Sequence, residues 1–177
     1  MKYQGSFSRD ANFVPDTARG CLTTTSKTLV GSNATVNVPI FSTVGIVEVL
    51  GLWGIVTTGL GANHTASAWR INDQTSQIYL TAVGGVDIST ATAGSLISKV
   101  GLAAAALTYK SASAGYILEP TTLETTTFSP IIIGAKTALT TQTIEYHYAT
   151  TDTPTSGAMT FFIRWLPLSD GANVTAL

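Results

Sequence analysis

The sequence predicts an all-β protein: an antiparallel β-sandwich or jelly-roll-like barrel over residues 29–177, preceded by an extended N-terminal arm over residues 1–28. Three observations predict it. Short runs alternate apolar and polar side chains, the period of a strand with one face turned inward. Thr is the commonest residue, and its β-branched side chain is stiff at χ1 and suits a pleated surface. Gly, Pro, Asn and Asp gather between the runs, where turns need them. A chain of 177 residues suits one domain with an arm.

Residues 1–28 are polar and irregular, contain Pro15 and show no sustained period, which reads as an arm that a partner orders. Its anchors are Tyr3, Phe7, Phe13 and Val14, and Lys2, Arg9 and Arg19 give it a basic character. Lys2, Tyr3, Phe7, Arg9, Phe13 and Arg19 are the candidate partner-binding residues. Formal charge is +2 over residues 1–30 and −3 over the remainder. A basic arm on an acidic body suits docking on an acidic protein surface.

The body follows element by element. LVGSNATVNVPIF, 29–41, suggests a turn at Gly31-Ser32-Asn33 and a strand with Val36, Val38 and Ile40 on one face. FSTVGIVEVLGLWGIVTTGLGA, 41–62, is the most apolar stretch and has the length of a membrane helix. Glu48 near its centre would cost about 2.5–3.5 kcal/mol in a bilayer, and five glycines and many β-branched residues weaken a helix further. A long strand buried on both faces and bent at Gly51 or Gly54 fits better. SAWRIN, 67–72, and SQIYLTAV, 76–83, read as a hairpin. In SLISKVGLAAAALTYK, 95–110, a helix competes through the four alanines 103–106. GYILE, 115–119, and PIIIG, 130–134, read as short strands.

The ending is the most regular part. TIEYHYAT, 143–150, sets Ile144, Tyr146 and Tyr148 against Glu145, His147 and Ala149. AMTFFIRWL, 158–166, sets Met159, Phe161, Ile163 and Trp165 against Thr160, Phe162, Arg164 and Leu166. The turn-rich TDTPTSG between them makes an antiparallel hairpin the natural reading, with Glu145 and His147 facing Arg164. Pro167 then stops the strand for want of an N–H, and PLSDGANVTAL, 167–177, is left as an extended tail free to pack on a sister subunit.

Chemistry-bearing motifs are sparse. Cys21 is the only cysteine, and His64 and His147 are the only histidines. Neither histidine stands at ligand spacing from another donor, and the metal, nucleophile and phosphate-loop signatures are absent. Glu145-x-His147 can be drawn as an acid/base pair or half a zinc site, but strand period alone places both on an outward polar face. Asp152 and Asp170 sit beside turn residues rather than in a run of spaced acids. Trp53, Trp69 and Trp165 could stack a sugar ring, yet their strand-period positions favour core or interface. No catalytic residue, metal or cofactor is expected. A net charge of −1 argues against a nucleic-acid partner, no membrane partner is expected, and MKYQGSFSRDANFVPDTARG shows no apolar leader run. Charged residues are 11 % of the chain against 45 % hydrophobic, where about 25 % charged is usual. A surface of hydroxyls and small side chains costs little entropy to immobilise against a neighbour.

Two stretches carry a resemblance. The block VGIVEVLGLWGIVTTGLGANHTASAWRINDQTSQIYLTAVGGVDIST and the ending TIEYHYATTDTPTSGAMTFFIRWLPLSDGANV are similar to segments of small structural proteins encoded near tailed-bacteriophage capsid genes. The resemblance covers about residues 45–177 and leaves the arm unmatched. It implies a capsid decoration, or cement, protein on the outer surface of the virion, bridging capsomers of the major capsid protein. Self-association is expected, a homotrimer first and a dimer second. The alternatives are another virion component, such as a tail, baseplate or head-fibre base, and a carbohydrate-binding β-sandwich module.

Overall fold

The computed structural model describes residues 20–31, 35–61, 64–72, 77–99, 105–110, 131–134, 141–150 and 157–177. Lys2, Tyr3, Phe7, Arg9, Phe13 and Arg19 lie outside the described residues, as do the strand expected at 115–119 and the acid Asp152. Within the described residues every regular element is a strand: β1 Cys21–Thr28, β2 Thr35–Val44, β3 Ile46–Thr58, β4 Thr65–Asn72, β5 Gln77–Tyr79, β6 Leu96–Ser98, β7 Thr108–Lys110, β8 Ile131–Gly134, β9 Gln142–Ala149, β10 Ala158–Pro167 and β11 Asn173–Ala176. The expected all-β sandwich is what forms. One sheet runs β1-β10-β3-β6-β7, with β8 sharing the free edge of β3 below β6; the other runs β11-β2-β9-β4-β5. All strand pairings are antiparallel.

The sheets meet through the inward residues of their longest strands. Val47, Val49, Leu52 and Val56 of β3 and Met159, Phe161, Ile163 and Trp165 of β10 face Trp69, Ile71, Ile144, Tyr146 and Tyr148 of the second sheet. The contact is aromatic at its centre. The Phe161 ring lies 5.5 Å from Trp69, edge to face, and 5.4 Å from Tyr146, within the range that favours offset and T-shaped ring pairs. Gly54, opposite Phe161 in the ladder, makes room for it. A Cβ there would stand 3.2 Å from Phe161 Cδ1 and 2.7 Å from Met159 Cε.

Four sequence expectations are corrected. The apolar stretch 41–62 is two strands in different sheets, split at Gly45, whose φ of +70° turns the chain through the corner. A side chain at Gly45 would also meet Ser169 Oγ at 2.8 Å and Ala172 Cα at 2.9 Å. Beyond it β3 is buried on alternate residues rather than on both faces, and a register shift opposite Arg164/Trp165 supplies its irregularity beside Gly51. The expected closing hairpin does not form. β9 pairs with β2 and β4, whereas β10 pairs with β1 and β3. Alternation fixes which side chains are inward; it does not choose the neighbouring strand.

The arm boundary moves as well. Residues 21–28, read as the end of the arm, pair with β10 over their whole length. The tail is the fourth case, because Asn173–Ala176 pair with β2 of the same chain. β1 and β11 then close one side of the sandwich through side chains. Trp165 Nε1 donates to Thr23 Oγ1 at 3.0 Å, Thr23 Oγ1 donates to the Val174 carbonyl at 3.1 Å, and Thr25 Oγ1 donates to the Leu177 carbonyl at 3.0 Å. Ala103 and Ala104 of the alanine run lie outside the described residues; on either side of the run β6 and β7 pair with each other, with Ile97 opposite Tyr109.

One core residue buries two polar atoms without partners. His64 is fully buried, its ring stacked 4.0 Å from that of Tyr148 and 6.0 Å from that of Tyr146. Neither ring nitrogen has a hydrogen-bond partner. Burial holds its pKa down to about 4, with the Asp87 carboxylate drawing it part of the way back. The neutral ring is therefore the folded form, and the unfolded chain takes up a proton first as pH falls.

Two outcomes follow from these contacts. Thr23→Val leaves the Trp165 N–H without its acceptor and is expected to cost about 1–3 kcal/mol of unfolding free energy in urea, with Thr23→Ser largely sparing it. Stability is expected to be fully present above pH 6.5 and to decline as pH falls toward about 4. The His64 share is on the order of 3 kcal/mol, and His64→Phe should flatten that decline.

Candidate functional site

The outward face of the second sheet holds the densest polar cluster of the described residues. Strand register builds it. Arg70 of β4 lies opposite Glu145 of β9 and opposite Tyr79 of β5. Asn37 of β2 and Ala68 of β4 flank His147 of β9 on either side. Period 2 therefore puts Asn37, Glu145, His147, Arg70 and Tyr79 on one surface.

The cluster is closed upon itself. Arg70 Nε donates to Glu145 Oε2 at 2.7 Å, and Asn72 Nδ2 donates to Glu145 Oε1 at 3.0 Å. Arg70 Nη1 donates to Gln77 Oε1 at 2.9 Å. His147 Nδ1 stands 2.7 Å from Asn37 Oδ1; the amide oxygen accepts, so Nδ1 carries the proton. The Tyr79 ring meets His147 edge-on at 5.7 Å. Arg70 is 3 % and Glu145 6 % exposed, so this charge pair sits out of water. Burial lowers the His147 pKa first and the Arg70 guanidinium second, while Glu145 pulls it up. The ring is neutral at neutral pH.

The sequence places Glu145 and His147 on an outward polar face, and that is where they are. Their charge partner differs from the expected one: Arg70 takes the place of Arg164, which lies in the other sheet. Both carboxylate oxygens are committed to donors, so the group holds strands β4, β5 and β9 in register. Among the described residues no three His, Cys, Asp or Glu side chains come together as metal ligands. Asp170 is exposed in the turn that the Ala172 N–H closes on the Ser169 carbonyl at 3.2 Å. Trp69 is fully buried and Trp165 nearly so, which leaves Trp53 as the half-buried tryptophan, stacked on Phe162 at 5.4 Å and 4°.

Among the many exposed polar residues stand nine large apolar side chains. Leu22, Val30, Val44, Ile46, Ile78, Val83, Ile132, Leu168 and Leu177 are exposed. Single exposed hydrophobic residues are ordinary, but a contiguous group of them marks a contact surface. Leu22, Ile46, Ile132 and Leu168 gather on the outward side of the first sheet. The sequence carried a signal for this face: Phe162 and Leu166 occupy the side of β10 that does not face the core, so that strand is apolar on both sides.

Comparison of the chain with family models, with curated proteins and with solved structures returned no match.

Removing one member of the buried pair should be worse than removing both. Arg70→Met strands the Glu145 carboxylate and is expected to cost about 3–5 kcal/mol in urea unfolding, whereas Arg70→Met with Glu145→Leu should recover most of that loss.

Proposed function

We propose that the protein is a tailed-phage virion component of the capsid decoration type, binding the outside of the assembled capsid and stabilising it by bridging capsomers of the major capsid protein. The supporting observation is the character of its surface. Large apolar side chains are exposed on a body whose one described ion pair is buried, in a chain with 11 % charged residues. Such a surface has little charge to desolvate and few long side chains to immobilise when a neighbour covers it. The hydrogen-bonded polar cluster ties β4, β5 and β9 of the second sheet together, and the resemblance read in the sequence of residues 45–177 to phage structural proteins suggests the setting. Stabilisation works by mass action: a protein that binds only the assembled, expanded shell shifts the balance away from disassembly. The basic arm, through Lys2, Arg9 and Arg19 with Tyr3, Phe7 and Phe13, is the element assigned to grip the shell.

The test is co-sedimentation of the purified chain with expanded heads and with isolated tails. Saturable binding to heads is expected, and binding to tails alone would move the protein to another virion component. Because β1 begins at Cys21, the informative truncation removes residues 1–19. It should leave the β body folded and weaken attachment to heads by roughly tenfold or more, about 1.4 kcal/mol. Undiminished attachment would shift the contact from the arm to the body.

A further inference from the structure

Antiparallel sheets with one free face turn polar side chains toward water. The first sheet departs from this at one end. Leu22 lies opposite Arg164, Leu166 lies opposite Glu48, and Ile132 flanks Glu48 from the other side. Residues directly opposite in a ladder share a face, so these side chains form one outward surface across β1, β10, β3 and β8. Ile46, two residues before Glu48, belongs to the same surface. Leu168 is tied to it by a 2.8 Å bond from its N–H to the Ile46 carbonyl. Exposure is 54 % at Leu22, 63 % at Ile132, 49 % at Leu168 and 42 % at Ile46. The stacked Trp53 and Phe162 extend the surface along β3 and β10.

Two charges stand inside this apolar group, one of each sign. Arg164 is exposed on β10 opposite Gly51, and Glu48 is half-buried on the neighbouring β3 opposite Leu166. They sit two residues apart along β10's register and one strand apart across it. Neither has an ion-pair partner among the described residues, where the one pair is Arg70–Glu145.

We infer that this face binds the same face of a second copy of the chain about a two-fold axis, with Arg164 of each copy meeting Glu48 of the other. The charge pattern argues for a second copy. An apolar patch with one positive and one negative group is complementary to its own image: a two-fold axis between the faces, set across the line from Arg164 to Glu48, exchanges the two positions. Both ion pairs form at once, and no like charges meet. This is an isologous contact, closed at two copies. The apolar side chains supply the burial, and the paired charges fix the register and exclude other alignments. The strands of the two sheets cross in this arrangement, a recognised way for sheets to pack face to face.

The inference deepens the self-association expected of a virion protein, and commits it to a pair rather than a ring of three, but it needs no capsid. Its test therefore uses the purified full chain alone, by sedimentation equilibrium. A dimer is expected, weakened about tenfold or more by Arg164→Glu and by Glu48→Arg separately. The exchange of both charges in one chain should restore it. A chain that stays monomeric, a trimer, a dimer indifferent to the single exchanges, or one that the double exchange fails to restore would overturn the inference. Circular dichroism checks folding of each variant. Should a charge variant fail to fold, Ile132→Lys and Leu168→Lys probe the same face, and a dimer that survives both overturns the inference equally. Capsid binding is read in a separate experiment, so loss of the dimer and loss of the proposed function are told apart.

Discussion

Ten consecutive residues of β10, Ala158 to Pro167, pair with β3 across two register shifts, and this pairing is the constraint on which the rest of the molecule depends. It carries Met159, Phe161, Ile163 and Trp165 into the interior as one row. Phe161 then reaches across to Trp69 and Tyr146 and locks the two sheets together. The pairing also gives β1 an edge to build on and leaves β3's other edge for β6 and β8. Each of these short strands borrows its order from the long pair. A two-stranded ribbon is marginal alone, whereas three or more strands with a buried face are not.

The second sheet is organised differently. β9 is buried on both sides, with Ile144, Tyr146 and Tyr148 inward and Glu145 and His147 outward. The outward pair survives burial because both carboxylate oxygens and one imidazole nitrogen have partners: Arg70 and Asn72 for the carboxylate and Asn37 for His147 Nδ1. A buried ion pair adds little net stability over apolar residues of the same shape, but it penalises every arrangement in which its members are separated. Here it specifies which strands are neighbours. His64 shows the opposite case on the inward side, a polar ring placed among tyrosines without hydrogen bonds, tolerated only while it is neutral.

Much of the fold could be read from the chain, and the failures have a common cause. Alternation located β2, β4, β9 and β10 closely, because period 2 reports the inward face directly. The same alternation says nothing about which strand lies alongside. TIEYHYAT and AMTFFIRWL satisfy a hairpin as well as they satisfy two opposed sheets, and Arg70 and Arg164 were equally good partners for Glu145 until the register was known. β1 was missed because CLTTTSKT alternates exposed with half-buried hydroxyls, so its pattern lacks apolar contrast. Its inward residues, Thr23 and Thr25, act through hydrogen bonds to β11, and hydrogen-bonding partners so distant in sequence leave no local trace. The polar cluster was half legible: the side of the sheet was right, its burial and its Asn37, Arg70, Asn72, Gln77 and Tyr79 members were not. Of the six arm residues, none falls among the described residues.

The separation of β9 and β10 into different sheets is the claim that supports the sandwich, the outward polar cluster and the apolar face together. Cross-strand nuclear Overhauser contacts measured on the labelled protein address it most directly. Contacts joining the backbone of Phe161 to Gly54 and that of Glu145 to Arg70 are expected, matching the registers of β10 with β3 and of β9 with β4. A ladder of contacts running between residues 143–150 and 158–166, with Glu145 across from Arg164, would contradict it.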